Sequence, residues 1–222
     1  MRPTHNAELE LMEGDVASQS QARSEDTMGH MIGRLFLQCY KLYTRLRCKL
    51  FSVLVSGAFA KFGKNTVVQY PLRLAGESRI EIGDGVFIGS NSWLQALPDG
   101  NSQAVAVSIG DGTSIVGGCV ISAVRSVLLE QNVLLARNVY ISDHIHRYSD
   151  QSKPILSQGV ERVAPVLIRR GAWLGQNVVV CPGVTVGIGS VVGANSVVNT
   201  DVPDWCVAAG APARVVKKIG SE

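Results

Sequence analysis

The sequence predicts an all-β fold: a prism of stacked triangular coils, preceded by one helix. Three observations carry this. Aliphatic residues recur at every sixth position from about residue 65, turn-forming residues fill the gaps, and a helical period is confined to residues 30–55. Ile168, Leu174, Val180, Val186, Val192 and Val198 stand six apart without a miss. Ile82, Ile88 and Leu94 repeat the step, as do Ile109, Ile115 and Ile121, and then Leu129, Leu135 and Ile141. Val68, Leu74 and Ile80 form a weaker set. Two-residue slips fall at Ile80 to Ile82 and at Val127 to Leu129, and loops interrupt at 96–107 and 142–165.

A period of six fits neither the 3.6-residue α-helix nor plain strand alternation. It fits a short strand, a tight corner and a second short strand. Three such sides close one coil, and the next coil stacks about 4.7 Å above it through strand-to-strand hydrogen bonds. The aliphatic residue of each hexad points inward. Alone it cannot be buried; stacked, the hexads form a continuous core. The hexads describe about six coils, although the period does not determine their hand.

Along the chain, residues 1–28 are polar and acidic, with Glu8, Glu10, Glu13, Asp15, Glu25 and Asp26 and few large hydrophobes, which predicts a disordered tail. Residues 29–62 form a helical segment. At 100° per residue, Arg34, Lys41, Arg45 and Lys49 share one stripe, and Leu35, Phe36, Cys39, Leu42, Tyr43, Leu46, Leu50 and Leu54 the opposite one; Arg47 breaks the pattern. Such a helix over 30–55 could make peripheral contact with an anionic membrane surface or pack against the end of the main domain. Residues 63–222 form the coil domain, with the loop at 142–165 and a C-terminal extension.

Composition narrows the setting. A net charge of +3 is too mild for nucleic-acid binding. Five dispersed cysteines without a C-x-x-C pair read as reduced thiols. No secretory signal and no run of about 18 apolar residues is visible, so a cytoplasmic protein is expected, with peripheral contact at the inner membrane face left open.

Three motifs stand out: Ser142-Asp143-His144, Ala172-Trp173-Leu174-Gly175, and Ala209-Gly210-Ala211-Pro212-Ala213-Arg214. With the hexads, they resemble the hexapeptide-repeat acyltransferase superfamily, in its sugar and polysaccharide O-acetyltransferase branch of galactoside and maltose acetyltransferase-like enzymes, over about residues 65–220. The resemblance implies a left-handed β-helix and a homotrimer with active sites between subunits. It implies acetyl-CoA as co-substrate, no metal, and direct transfer to a hydroxyl of a sugar or surface-polysaccharide intermediate.

His144 matches the family's catalytic histidine, and imidazole suits general base work because its pKa lies near the working pH. Trp173, Ala194, Asn199, Thr200, Arg214 and Lys217 correspond to positions lining the family's CoA channel. Arg214 and Lys217 could pair with CoA phosphates. Asp143, His146, Arg147 and Tyr148 are candidates for the acceptor side, and Asp143 could equally orient an imidazole or cap the loop. His146 lies two residues from His144, but only His5 and His30 remain to complete a zinc site, so none is expected. Thr200 departs from the lysine of the galactoside enzymes, and their substrate-side asparagine falls near Val116. A serine acetyltransferase-like enzyme and a non-catalytic hexapeptide scaffold are the competing readings.

Overall fold

The computed structural model describes residues 5–100 and 102–220, with side chains from Met28 onward. The chain divides into two units, residues 1–47 and 48–222.

In the larger unit the hexads build a left-handed β-helix of six coils with three sides. Side A stacks Lys61–Phe62, Ile80–Ile82, Val107–Ile109, Val127–Leu129, Val166–Ile168 and Thr185–Val186. Side B stacks Val67–Val68, Phe87–Ile88, Ser114–Ile115, Leu134–Leu135, Trp173–Leu174 and Val191–Val192. Side C stacks Arg73–Ala75, Trp93–Ala96, Val120–Ala123, Tyr140–Ser142, Val179–Val180 and Val197–Val198. Every pairing between coils is parallel and keeps like over like. Ile82, Ile109, Leu129, Ile168 and Val186 form one inward row, and Leu94, Ile121, Ile141, Val180 and Val198 another. Both rows are buried.

The two-residue slips in the period have a plain cause. Ile80–Ile82 and Val127–Leu129 lie on side A, where the three-residue strand turns both end residues inward and only the middle one outward. Val107–Ile109 and Val166–Ile168 do the same.

The corners need left-handed backbone, which asparagine tolerates better than other side chains. At the edge between sides B and C, Asn138, Asn177 and Asn195 sit at φ 60°, 59° and 59°. Their amides form a ladder: Asn138 Nδ2 donates to Asn177 Oδ1 at 3.2 Å, and Asn177 Nδ2 to Asn195 Oδ1 at 2.9 Å. Gly175 is needed for closeness instead, since a Cβ there would lie 2.7 Å from the Ala194 nitrogen of the next coil.

Both ends of the stack carry added elements. A hairpin of Cys206–Gly210 and Ala213–Lys218 adds to side B, its last strand running antiparallel to its neighbour. At the other end, residues 48–55 close the helix α1 (His5–Val55) onto the first coil. Cys48 is buried, Phe51 meets the Tyr70 ring edge-on at 5.7 Å, and Ser52 Oγ accepts from the Val68 N–H at 2.8 Å. Of the two uses open to the basic helix, packing holds for this last stretch.

In the smaller unit, α1 is helical from His5, so residues 5–28 differ from the expected disordered tail. The segment lacks apolar surface to bury, but its Ala, Glu, Gln, Leu and Met residues favour helix by intrinsic propensity. Residues 1–4 of that expected tail lie outside the described residues. From Met28 to Leu46 most of the large apolar side chains are exposed.

Candidate active site

Side C of the fourth coil ends at Ser142, and there the chain leaves the prism at the edge between sides C and A. The excursion is a folded loop. Ile145–His146 pairs antiparallel with Val160–Glu161, and a 3₁₀ turn spans Ile155–Gln158. Asp150 gathers the Ser152 N–H and hydroxyl on one oxygen, at 3.0 and 2.6 Å. Gln158 Nε2 donates to the Asp150 and Lys153 carbonyls.

At the root of this loop stands His144, only 7% exposed. Its Nδ1 lies 2.8 Å from Asp143 Oδ1 and 3.2 Å from Ser142 Oγ. The Ser142 hydroxyl donates to the His144 carbonyl at 2.8 Å, so towards the ring it serves as an acceptor. Both contacts favour the tautomer with hydrogen on Nδ1, leaving the Nε2 lone pair free. Among the described residues no buried side-chain nitrogen or oxygen lacks a partner. Nε2 has no hydrogen-bond partner among the described residues, so it is the ring nitrogen that reaches solvent.

Asp143 is fully buried. Its carboxylate accepts three backbone N–H groups from one turn: Val124 at 2.9 Å, Arg125 at 2.7 Å and Ser126 at 2.8 Å. Burial pushes the carboxyl up, but the His144 ring and these three donors outweigh it and hold the carboxyl below the usual carboxylate range. An acceptor contact was expected of Asp143. Its burial and occupied oxygens correct that reading: both of its other options hold at once, orienting the imidazole and capping a turn.

The turn at 124–126 is held in turn by Arg79, a buried guanidinium absent from the sequence-based candidates. Its Nη2 donates to the Val124 carbonyl at 2.9 Å, its Nε to Ala104 at 2.8 Å, and its Nη1 to Leu97. One cation therefore satisfies three carbonyls that no strand ladder reaches. The only signal in the sequence was an arginine directly before the inward Ile80.

The remaining candidates fall into two groups. Asn199 and Thr200 are exposed on the same edge as His144. Ser142, Cys181 and Asn199 each follow the paired residues Ile141, Val180 and Val198, so Asn199 stands two strand spacings from Ser142, about 10 Å along the prism axis. Trp173 lies on side B, 48% exposed. The register Trp173, Val191, Val207, Lys217 puts Lys217 on the same row three strands away, about 14 Å. Ala194 is exposed at the corner between B and C, and Arg214 lies on the last strand, its Nη1 on the Ala213 carbonyl at 2.7 Å. In a triangular prism side B is opposite the edge that carries His144. One chain therefore does not bring Trp173 or Lys217 to the imidazole. Val116, where the acceptor-side asparagine was sought, is at the corner between B and C, also away from it. His146, Arg147 and Tyr148 are exposed on the loop, with Arg147 Nε 3.5 Å from Glu161.

A family model described as the hexapeptide repeat of succinyl-transferase matches residues 79–94 and 165–200. The galactoside O-acetyltransferase of Escherichia coli is 32% identical over 166 residues, covering 75% of this chain and 67% of its own. WbbJ of the same organism, named as a candidate O-acetyl transferase of lipopolysaccharide biosynthesis, is 31% identical over 162 residues, covering 70% of this chain and 80% of its own. The chain belongs to the hexapeptide-repeat acyltransferase family. Within it, the sugar O-acetyltransferase branch holds its relatives, and the scaffold reading gives way to an acyltransferase. A hexapeptide-repeat acetyltransferase of Vibrio cholerae, solved with acetyl coenzyme A, superposes with a TM-score of 0.51 at 28% identity over 76% of both chains. An N-acyltransferase of Bacillus cereus, AntD, shares the fold with a TM-score of 0.62 at 20% identity, over 75% of this chain and 86% of that one.

Proposed function

We propose that this family member moves an acetyl group from acetyl-CoA to a hydroxyl of a sugar or surface-polysaccharide intermediate, with His144 as general base. The observation that carries the base assignment is the 2.8 Å contact between His144 Nδ1 and a buried carboxylate, which leaves Nε2 as the solvent-facing acceptor. As the acceptor oxygen attacks the thioester carbonyl carbon, Nε2 takes its proton. The tetrahedral oxyanion collapses, the carbon–sulfur bond breaks, and the imidazolium returns the proton to the departing thiolate. Asp143 stabilises the imidazolium in between without itself gaining a proton, as its lowered pKa favours. Acetyl-CoA and an acceptor of this class are supported by the relatives' names and by the acetyl-CoA complex of the Vibrio cholerae neighbour.

The working unit in this reading is a homotrimer in the cytoplasm. Its support is the split of the candidates between side B and the opposite edge. A threefold neighbour can set Trp173, Arg214 and Lys217 of one chain against His144, Asn199 and Thr200 of the next. The loop at 142–165, with His146, Arg147 and Tyr148, then borders the acceptor. The test is free-thiol release from acetyl-CoA across a panel of sugars, comparing wild type with His144→Ala. A folded variant with unchanged turnover would remove the base from His144.

A further inference from the structure

The exposed apolar face of α1 is unlike the rest of the surface. Ile32, Leu35, Phe36, Leu42, Tyr43 and Leu46 are each more than half exposed, and at 100° per residue they fall within an arc of about 120°. Arg34, Lys41 and Arg45 cluster within about 40° on the far side. Arg47 borders the apolar arc, its guanidinium 5.9 Å from the Tyr43 ring centroid. The sequence from 27 to 76 holds eight basic residues and no acidic one. Among the described residues no helix is long and apolar enough to cross a membrane.

We infer that residues 28–47 of α1 lie on an anionic lipid bilayer, in the plane of the headgroups, with the apolar arc sunk towards the acyl chains. Charge complementarity selects this occupant. An amphipathic helix with Leu and Phe on one face and Lys and Arg on the other binds such a surface through apolar area and attraction to acidic lipid together. A second copy in parallel register would set four more cations against residues 28–47 and no counter-charge, whereas paired helices set acidic against basic residues along their flanks. The aromatic rings of Phe36, Tyr40 and Tyr43 suit the headgroup boundary, where one end of a side chain is wet and the other is not. The docking does not depend on which acceptor the active site takes.

The test is co-sedimentation of the full-length protein with vesicles of phosphatidylcholine alone, or with about 30% phosphatidylglycerol. Binding is expected only to the acidic vesicles, weakening as salt is raised. Reversing three charges (Arg34→Glu, Lys41→Glu, Arg45→Glu) leaves the apolar arc intact and is expected to weaken binding at least about 10-fold. Phe36→Glu with Leu46→Glu removes the insertion and is expected to abolish binding, with turnover on a soluble acceptor unchanged. Equal binding to neutral and acidic vesicles, or none to either, overturns the inference. So does wild-type vesicle binding by the charge-reversed protein. A fall in solution mass for Phe36→Glu/Leu46→Glu with vesicle binding intact would assign the face to a second copy instead.

Discussion

Asp143 and His144 are adjacent in the chain, yet their side chains meet at 2.8 Å, and the carboxylate is anchored by three amides from a turn 17 to 19 residues earlier. Asp143→Asn keeps the shape but puts an amide where the ring needs an acceptor. In stopped-time thiol-release assays it is expected to lower kcat more than it raises KM, approaching the ~10²- to 10⁴-fold loss expected of His144→Ala.

The same carboxylate gives a pH signature in stability. Its folded pKa is lowered, so its contribution is present above the unfolded value of about 3.9 and is lost as pH falls towards and through the folded value. Urea midpoints of wild type and Asp143→Asn, measured from pH 7 to pH 3, should therefore converge as pH falls. A gap that stays constant would mean that folding leaves the carboxyl's pKa unshifted.

Arg79 supports this arrangement from two strand spacings lower in the stack. Arg79→Met leaves three carbonyls without their donor and is expected to cost about 3–5 kcal/mol, since each buried acceptor left unsatisfied costs about 1–3 kcal/mol. Arg79→Lys retains the charge but cannot span Leu97, Ala104 and Val124 with one ammonium. It should recover less than half of that loss by thermal or urea unfolding.

These examples mark where the sequence could be read and where it could not. The coils were legible because every inward residue, from Val68 to Val198, meets the same neighbours above and below, so one local rule repeats. The place of His144 at the end of a coil was legible from the hexad period, while its role as base rests on the family resemblance. Arg79 was not, since its partners are backbone carbonyls 18 to 45 residues away, which no spacing marks. Asp143 was half legible. Its neighbour is visible in the sequence, but the 124–126 turn that buries it is not. The helix from His5 was not legible, because its polar composition carries helix propensity without an apolar period to mark it.

If each site joins side B of one chain to the histidine edge of another, inactive variants should complement each other. Co-expressed His144→Ala and Trp173→Ala chains are expected to form mixed trimers with measurable activity, while each alone is impaired. Trp173→Ala alone should mainly raise KM for acetyl-CoA. Light scattering should give three times the 23.7 kDa chain mass. No recovery in verified mixed trimers would place both residues in one chain's site.

Gly175→Ala probes the stack itself. Its new methyl would press on the Ala194 nitrogen, and overpacking of this kind costs about 1–3 kcal/mol by unfolding.

The reversed strand Ala213–Lys218 at the end of side B has a consequence for how such a molecule stays finite. Parallel ladders can template their own continuation, and a bare final coil would offer a ready seat to another chain. A strand laid in the opposite sense gives an arriving coil the wrong hydrogen-bond pattern along one wall. The hairpin thereby acts as a terminator of growth, and a chain cut before Cys206 should be prone to end-to-end fibre formation.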